Sequence, residues 1–435
     1  YKSKGDIYIL SADINRLPIH AFLPLSKIGN LTASLAAHGK GFNYDLPSFA
    51  TMAHCQIDSI AYGGTLYRSL SADVTAEAGN VTAHLASQNP NMHLSLDATG
   101  AIAERRYKVD MHSDIQDLNL YALHVLKTPS KGRGKVNLKG DIDLRTKEYK
   151  GNLQLADFHW THDTMRFFIP EMDADVLCND SLVSADIINE DFKFNFNSYC
   201  SLDTLLARVN KATNIYSEQL RKNWFEIKEI RAALPQCDCH MTLGTNNVVQ
   251  RFLRDNDLNI SEAKLNMKTD STVHVDGFAH GIKFKNNRID TITIKASERW
   301  RFLTYSIHMG NKKGTWDDFA QVTLRGGFGG NRVMAHVNQQ NIKKQTGFNI
   351  GFNASYTDSV YSADFFPKKP VIGYRNWSVN YPNHLTYDLH SDHIDADLKL
   401  MSDTSFVQLA SVKSDIGADL LELKVGGVQI AEWIK

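Results

Sequence analysis

Hydrophobic and polar residues alternate along most of the first two hundred positions of the chain. The segment 135–144 is representative, and the hydrophobic residues that fall on one side of it when extended are Val136, Leu138, Ile142 and Leu144. A period of two marks a strand with one apolar and one polar face, and short glycine-containing turns separate successive runs. The same pattern resumes after Ser261. The sequence therefore predicts a mainly β protein.

One segment breaks this pattern. Between Ser201 and Leu234, hydrophobic residues recur every three or four positions, which predicts one long amphipathic helix closed by Pro235. A short second helix is predicted over 247–254. The polar side of the long helix is basic, with Arg208, Lys211, Arg221, Lys222 and Lys228. Such a helix can lie on an anionic membrane or pack against a sheet with its charges in water, and the sequence leaves both open.

Two sequence fragments recur. Asp13-Ile14-x-x-Leu17 returns as Asp114-Ile115-x-x-Leu118, and Gly29-Asn-Leu-Thr-Ala33 returns as Gly79-Asn-Val-Thr-Ala83. Repetition at such offsets is typical of stacked or solenoid architectures.

Charge and composition narrow the possible functions. Lys and Arg total 48 and so do Asp and Glu, so the chain lacks the basic surplus of a nucleic-acid binder. Hydrophobic residues make up 43%, which supports ordered structure but is lean for a thick closed core. No apolar run approaches the ~18 residues of a transmembrane helix. Because the chain begins at Tyr1 and residues 428–435 end in a strand-like pattern, we expect a piece of a longer protein that carries its targeting and anchoring segments elsewhere.

The five cysteines, Cys55, Cys178, Cys200, Cys237 and Cys239, cannot all pair within the chain because their number is odd. The simplest interpretation is that they are small, half-buried side chains. A Cys178–Cys200 or Cys237–Cys239 link in an oxidising compartment is the alternative.

Residues that could perform chemistry are sparse. His159 and His162 follow an alternating strand and do not lie on a helix with a glutamate, so the two-histidine zinc motif of metalloproteases does not apply to them. His390 and His393 are three apart on a predicted strand and would point to opposite faces, which argues against a metal site. The adjacent carboxylates of Trp316-Asp317-Asp318 would diverge for the same reason. The glycine-rich run 326–330 has no helix after it to bind a phosphate and is interpreted as a turn or bulge. We predict no catalytic residues, no metal and no cofactor.

A run of amphipathic strands with little to cover it can close into a sandwich or barrel, which would bury its apolar faces. Alternatively, a long sheet curled along its axis would leave a hydrophobic channel able to hold acyl chains. The pattern alone does not separate these two arrangements.

The sequence resembles TamB-family proteins of the AsmA-like superfamily, in the form found in Bacteroidetes-type bacteria. Four stretches carry the resemblance, and none of them is a sharp motif: the repeated unit at 13–25 with Gly29-Asn-Leu-Thr-Ala33 and Gly39-Lys-Gly41; the helix ending at Pro235 with the segment 242–253; the strands around Val273-His-Val-Asp-Gly277 and Ile289-Asp-Thr-Ile292; and Phe365-Phe-Pro367 with 377–387 and 394–400.

The resemblance implies an elongated, curled antiparallel-type sheet, a β-taco with an open hydrophobic groove, and here one long amphipathic helix is inserted in it. The changes in hydrophobic pattern divide the chain into a β-groove segment with degenerate repeats at 1–200, a helical insertion at 201–260 and a second β-groove segment at 261–435. The resemblance concerns the fold and the setting of the protein. It also implies a translocation and assembly module protein that crosses the periplasm of a Gram-negative bacterium, anchored in the inner membrane by a part outside this chain.

The expected function is non-enzymatic lipid transport in outer-membrane biogenesis, with phospholipid acyl chains as the ligand. The predicted groove residues are Leu31, Ala33, Leu35, Val136, Leu138, Ile142, Leu153, Leu155, Phe192, Phe194, Phe196, Ile292, Ile294, Ile394, Leu398 and Leu421. The alternative is a scaffold that acts with an Omp85-type barrel in outer-membrane protein assembly, through exposed strand edges. A carbohydrate-active β-solenoid enzyme is disfavoured because no strand face clusters carboxylates.

Overall fold

A computed structural model describes residues 7–22, 27–41, 49–63, 65–222, 224–314, 317–413 and 419–427. Trp316 and the strand-like segment 428–435 of the sequence analysis lie outside these residues. The chain is mainly β, as predicted, with 69% of its residues in strands. It divides into two compact units: unit 1 comprises residues 1–202 and 246–252, and unit 2 comprises residues 203–245 and 253–435.

Unit 1 is an antiparallel meander in which each strand pairs with the next one along the chain. Its strands are β1 (Ile7–Pro18), β2 (Ile28–Lys40), β3 (Ala50–Tyr62), β4 (Thr65–Glu77), β5 (Asn80–Asn89), β6 (Met92–Ala103), β7 (Arg106–Asn119), β8 (Ser130–Asp143), β9 (Glu148–His162), β10 (Met165–Cys178), β11 (Val183–Asn189) and β12 (Phe192–Ser198).

Unit 2 holds the remaining strands, which are β13 (Cys237–Leu243), β14 (Leu258–Asn259), β15 (Glu262–Thr269), β16 (Val273–Phe284), β17 (Asn287–Arg299), β18 (Phe302–Gly310), β19 (Gln321–Gly329), β20 (Arg332–Gln340), β21 (Thr346–Thr357), β22 (Val360–Ile372), β23 (Arg375–Asn376), β24 (Ser378–Val379), β25 (His384–Asp388), β26 (His393–Ser402), β27 (Ser405–Lys413) and β28 (Asp419–Gly426). From β15 to β22 this is again a simple antiparallel meander.

Within the described residues, four α-helices interrupt the strands: α1 (Ile19–Phe22), α2 (Leu202–Arg221), α3 (Ile227–Ala233) and α4 (Val248–Asp255). The predicted single helix from Ser201 to Leu234 is only partly right, because α2 ends at Arg221 and α3 begins at Ile227. The interruption arises because the backbone of Phe225 pairs with that of Gly330 in an isolated antiparallel bridge, which an uninterrupted helix could not make. The short second helix is confirmed as α4.

The 101-residue repeat has a structural counterpart in unit 1. The β1–β2 register shifts between Ile14 and Leu17, and the β7–β8 register shifts between Ile115 and Leu118. The repeated fragment thus encodes a strand with a bulge at a fixed place, six strands apart. The 50-residue repeat does not: Gly29 lies inside β2, whereas Gly79 forms the β4–β5 turn at φ +81°. The strands form a meander, and the solenoid suggested by the repeats is not seen.

After β22 the sheet of unit 2 continues through three short strands, β23, β24 and β25. There, asparagine side chains supply hydrogen bonds to the backbone of neighbouring strands. Asn383 Oδ1 accepts a hydrogen bond from the Phe365 backbone N–H at 2.7 Å, and its Nδ2 donates to the Phe365 carbonyl at 3.0 Å. Asn380 makes the equivalent pair of contacts to β26, with the Lys399 N–H and the Asp397 carbonyl. These amides replace the backbone partners that the irregular segment cannot supply.

Candidate functional site

The register of unit 1 aligns apolar residues into rows that cross the whole meander. In an antiparallel sheet, residues directly opposite each other share a face. One row includes a residue from all twelve strands: Leu10, Ala37, Ala53, Val74, Ala83, Ala98, Met111, Leu138, Leu153, Ala174, Ile187 and Phe194. A parallel row two residues away runs from Leu35 through Val136 and Leu155 to Met172, with Cys55 and Ser113 within it. We call this surface the apolar face of unit 1.

The apolar face of unit 2 is built in the same way. One of its rows consists of Met241, Leu265, Gly277, Ile294, Ile307, Leu324, Val337 and Ile350. A neighbouring row consists of Cys239, Met267, Val275, Ala296, Tyr305, Gly326, Ala335, Phe352 and Phe365. The same face continues into the last three strands. Leu398 in β26 lies opposite Leu409 in β27, and Leu409 lies opposite Leu423 in β28.

The sixteen residues predicted from the sequence all lie on the apolar face of their own unit. Those in unit 1 are Leu31, Ala33, Leu35, Val136, Leu138, Ile142, Leu153, Leu155, Phe192, Phe194 and Phe196, and those in unit 2 are Ile292, Ile294, Ile394, Leu398 and Leu421. Ala33 and Leu155 are buried, whereas Ile142, Ile294, Ile394 and Leu421 are 39–47% exposed. The others are half-buried. Most of this apolar surface therefore remains partly accessible.

The opposite face of unit 1 is polar and carries a ladder that the sequence analysis missed. Across eight successive strands, the opposed residues are His54, Asp73, His84, Asp97, His112, Asn137, Gln154 and Asp173. His54 Nδ1 lies 2.6 Å from Asp73 Oδ1, and His84 Nδ1 lies 2.6 Å from Asp97 Oδ1. The ladder is visible in the sequence only after the hairpins are aligned, because its members are 11 to 25 residues apart.

Helix α2 and the segment after it cover part of the apolar face of unit 2. Phe225 N–H donates to the Gly330 carbonyl at 2.7 Å, and the Phe225 ring contacts that of Phe328 with centroids 4.5 Å apart. The Gln219 side chain links α2 to α3 across the non-helical residues between them. Its Oε1 accepts a hydrogen bond from the Glu226 N–H at 2.9 Å, and its Nε2 donates to Glu229 Oε2 at 2.9 Å. These contacts fix the C-terminal end of α2 over the sheet.

A largely apolar pocket of about 470 Å³ lies between this helix end and strands β18 to β22. Its walls include Tyr216, Leu220 and Trp224 from the helix side and Tyr305, Phe328, Val333, Tyr356 and Tyr361 from the sheet. The run 326–330, expected to be a turn or bulge, is instead mostly strand, and only Gly330 adopts a turn conformation at φ +61°. A Cβ on Gly326 would collide with the Tyr305 hydroxyl and the Met334 carbonyl, so glycine is needed for the tyrosine to lie flat there.

Helix α3 is held over the same sheet by an ion pair. Arg231 Nε lies 2.7 Å from Glu298 Oε2, and the Glu298 side chain is only 5% exposed. The contact lacks hydrogen-bond geometry, so it is an electrostatic pairing. Glu298 lies two residues after Ala296 in β17, so both side chains are on the apolar face. An unpaired carboxylate would be costly there.

The candidate metal and acid–base residues are not brought together. His159 stacks on Phe168, and His162 Nδ1 lies 2.7 Å from Ser130 Oγ, on separate faces of β9. His390 lies 3.9 Å from Asp388 in a turn, and Asp317 Oδ1 accepts the Gly314 N–H. Within the described residues, no three His, Cys, Asp or Glu side chains are grouped to hold a metal ion.

All five cysteines lie in the described part of the chain, and none of them is bridged. Burial raises the pKa of the Cys178 thiol, and burial together with the neighbouring Cys237 raises the pKa of Cys239. Both thiols are therefore held in the neutral form, which fits the interpretation of small half-buried side chains and gives no nucleophile.

None of the helices in the described residues is long and apolar enough to cross a membrane. Comparison of the chain with models of protein families, with curated proteins and with solved structures finds no match. Function must therefore be argued from the two apolar faces themselves.

Proposed function

We propose that this protein is a non-enzymatic carrier of lipid, in which the apolar faces of the two units hold phospholipid acyl chains during transfer between the inner and outer membranes of a Gram-negative bacterium. The observation that supports this most strongly is the row of apolar side chains that runs without interruption across all twelve strands of unit 1.

The chemistry of these rows suits a sliding ligand. The row of unit 1 that runs from Leu10 to Phe194 is made only of alanine, valine, leucine, isoleucine, methionine and phenylalanine, none of which binds a fixed polar atom. Contact with such surface stabilises a methylene chain by about 25 cal/mol per Å² removed from water. Because neighbouring positions offer almost the same surface, an acyl chain could move from strand to strand with little change in free energy. In this mechanism no single residue would be essential.

The sheet need not be closed for this role. Only sixteen hydrophobic residues of the described chain are buried, while large side chains of the apolar faces such as Val176, Ile294 and Leu423 are 40–64% exposed. Apolar surface in this quantity marks a binding surface in a soluble protein. In the proposed arrangement, each sheet curls so that its apolar face forms the inside of a groove, as in the TamB family that the sequence resembles, with periplasmic localisation and an inner-membrane anchor outside this chain.

A second candidate function is a scaffold for outer-membrane protein assembly that acts with an Omp85-type barrel. Its support is the edge strand β1, which among the described residues pairs with β2 alone and exposes Ile7 and Ile9 by 79% and 85%. Such an edge can accept a client strand by β-augmentation. This function predicts crosslinks from β1 to a barrel protein and a preparation free of lipid.

The decisive experiment is native mass spectrometry with lipid extraction on protein purified from a bacterial envelope without detergent. The transport proposal requires bound phospholipid at a reproducible ratio. Protein that is free of lipid but crosslinks to a barrel through β1 would reject it in favour of the scaffold.

A further inference from the structure

The turns and loops at one end of the sheet of unit 2 share a composition that the apolar face does not explain. In an antiparallel meander every second connection lies at the same end of the sheet. The four connections at this end are the turn 285–286 after β16, residues 311–314 and 317–320 after β18, the loop 341–345 after β20 and the turn 373–374 after β22. We call these connections, with the strand residues next to them, the lysine end.

We infer that the lysine end docks on the surface of a membrane that contains anionic phospholipid. The inference deepens the proposed function, because a carrier of lipid has to meet a membrane. It is tested separately, since docking at the lysine end and acyl-chain binding on the apolar face involve different residues.

Each of the first three connections carries two exposed lysines. The six are Lys283, Lys285, Lys312, Lys313, Lys343 and Lys344. None of them forms an ion pair with a described residue, whereas Arg288 at the same end is bound to the buried Asp290 at 3.0 Å. The exposed carboxylates beside them are those of Asp257, Asp317 and Asp318. Positive charge is therefore in excess at this end, and it attracts an anionic surface.

Each of the four connections also exposes one large apolar or aromatic side chain. The exposed fractions are 47% for Phe284, 42% for Phe319, 38% for Ile342 and 45% for Tyr374. Because the connections are two strands apart, these side chains recur about every 10 Å over about 29 Å, at about 4.8 Å per strand. Such a row, with lysines beside it, suits a broad interface in which apolar groups enter the head-group layer and ammonium groups meet phosphates.

Hydrogen bonds hold the connections in place without a membrane. The Lys312 N–H donates to Asp290 Oδ2 at 2.6 Å, and the Ile342 N–H donates to the Asp317 carbonyl at 2.7 Å. The Tyr374 hydroxyl donates to the Asp318 carbonyl at 3.2 Å. The last three connections are therefore joined to one another or to the sheet, and docking does not require a loop to fold.

The opposite end of the same sheet has a different charge. Its turns carry Asp270, Asp358 and Asp392 against one arginine, Arg301. The paired lysines are thus a property of one end and not of the turns in general. A nucleic acid offers phosphates without an apolar layer beneath them, whereas a bilayer surface offers both. The combination of lysines with exposed apolar side chains such as Ile342 therefore favours a membrane.

Vesicle flotation with a matched pair of variants tests the charge. We expect the wild type to float with equimolar phosphatidylcholine and phosphatidylglycerol but not with phosphatidylcholine alone, and to be released by high salt. A variant of the lysine end should bind the mixed vesicles at least about ten-fold more weakly. A control that removes the same charge at exposed positions of unit 1 should bind like the wild type. The test variant is Lys312→Gln, Lys313→Gln, Lys343→Gln and Lys344→Gln, and the control is Lys127→Gln, Lys131→Gln, Lys135→Gln and Lys147→Gln.

A second pair of variants tests the apolar contribution. Phe284→Ser with Ile342→Ser should weaken binding to the mixed vesicles by about ten-fold, because less apolar surface leaves water on docking. Trp300→Ser removes a ring that is 83% exposed at the opposite end of the sheet, and it should leave binding unchanged. Circular dichroism checks that all the variants fold.

Three results would overturn the inference: no flotation of the wild type with the mixed vesicles, equally tight binding to phosphatidylcholine alone, or equal weakening in the two lysine variants. Binding of a nucleic acid or an acidic protein in place of the vesicles falls under the first. Phospholipid that copurifies with a protein that does not float rejects docking and leaves lipid transport standing. Flotation as expected, by a protein that carries no phospholipid, upholds docking and rejects transport.

Discussion

Leu138 in β8 lies directly opposite Leu153 in β9, and the two leucines are the eighth and ninth of the twelve residues in the row that crosses unit 1 from Leu10 to Phe194. Both are half-buried, so their side chains border solvent on one side. This position makes them suitable for a test of transport that leaves the fold intact, since half-exposed sites tolerate charge better than a closed core.

The double variant Leu138→Glu with Phe194→Glu should fold normally and lose most bound phospholipid. Two carboxylates on the row disfavour contact with methylene groups on either side. The control is Lys135→Gln with Lys193→Gln, which changes the net charge by the same amount at exposed positions of the same two strands on the polar face. Lipid content by extraction and transfer between labelled vesicles are the measurements. Unchanged transfer by a folded Leu138→Glu, Phe194→Glu protein would contradict a role for this row.

The ion pair between Arg231 and Glu298 should be worth much more to stability than exposed pairs. Arg231→Met leaves the Glu298 carboxylate, 5% exposed, without its partner and should lower the free energy of unfolding by about 3 kcal/mol. Lys222→Met removes the partner of Glu218 at the end of α2, where both side chains are over 60% exposed, and should cost less than about 1 kcal/mol. Urea denaturation measures both changes. Adding Glu298→Met to Arg231→Met should recover most of the loss, and no recovery would mean that the arginine acts through packing alone.

Asp143 makes unit 1 sensitive to acid in a defined pH range. Hydrogen bonds from the Arg145 side chain and backbone lower the pKa of Asp143 to about 2, from a usual value of about 3.9. A lowered carboxylate pKa contributes stability that is complete above the unfolded value and is lost as the pH falls through the folded value. We expect the loss of stability between about pH 4 and pH 2 to be smaller in Asp143→Asn than in the wild type. Arg145→Gln should reduce it similarly, and a steeper loss in either variant would exclude this pairing as the cause.

Cys178 should resist alkylation in the folded protein. Burial raises its thiol pKa, so the reactive thiolate is scarce near pH 7 and increases only as the pH rises towards that pKa. Iodoacetamide labelling followed by peptide mass spectrometry should show slow modification of Cys178 at neutral pH and fast modification in urea. Rapid labelling of the folded protein at neutral pH would show that the thiol is more accessible than its position at the end of β10 implies.

The sequence pattern predicted the strands well because a half-solvated sheet requires alternation at every position. Leu138 and Phe194 could be assigned to one face from their neighbours alone. Leu144 was assigned to the same strand, but β8 ends at Asp143, since Arg145 and Thr146 bond back to the Asp143 carboxylate and turn the chain. Local hydrogen bonds of this kind leave little trace in a hydrophobicity pattern.

Long-range contacts account for the remaining errors. The interruption of the long helix depends on Gly330, more than one hundred residues from Phe225, and the periodicity of 201–234 contains no sign of it. The apolar pocket under the end of α2 likewise arises from the meeting of a helix end with five strands, none of which carries a motif. The histidine–aspartate ladder depends on the register of seven hairpins, which follows from the turns and bulges and not from the residues of the ladder.

The bulge shared by β1 and β7 has a consequence for the length of the sheet. A block of six antiparallel strands ends with the chain running in its starting direction and with its apolar residues on the same face. Copying such a block would therefore extend every row by roughly 29 Å, at about 4.8 Å per strand, without inverting any strand. Duplication of this block would therefore lengthen the sheet in steps that keep its apolar face continuous, whereas a block with an odd number of strands would reverse the chain at each copy.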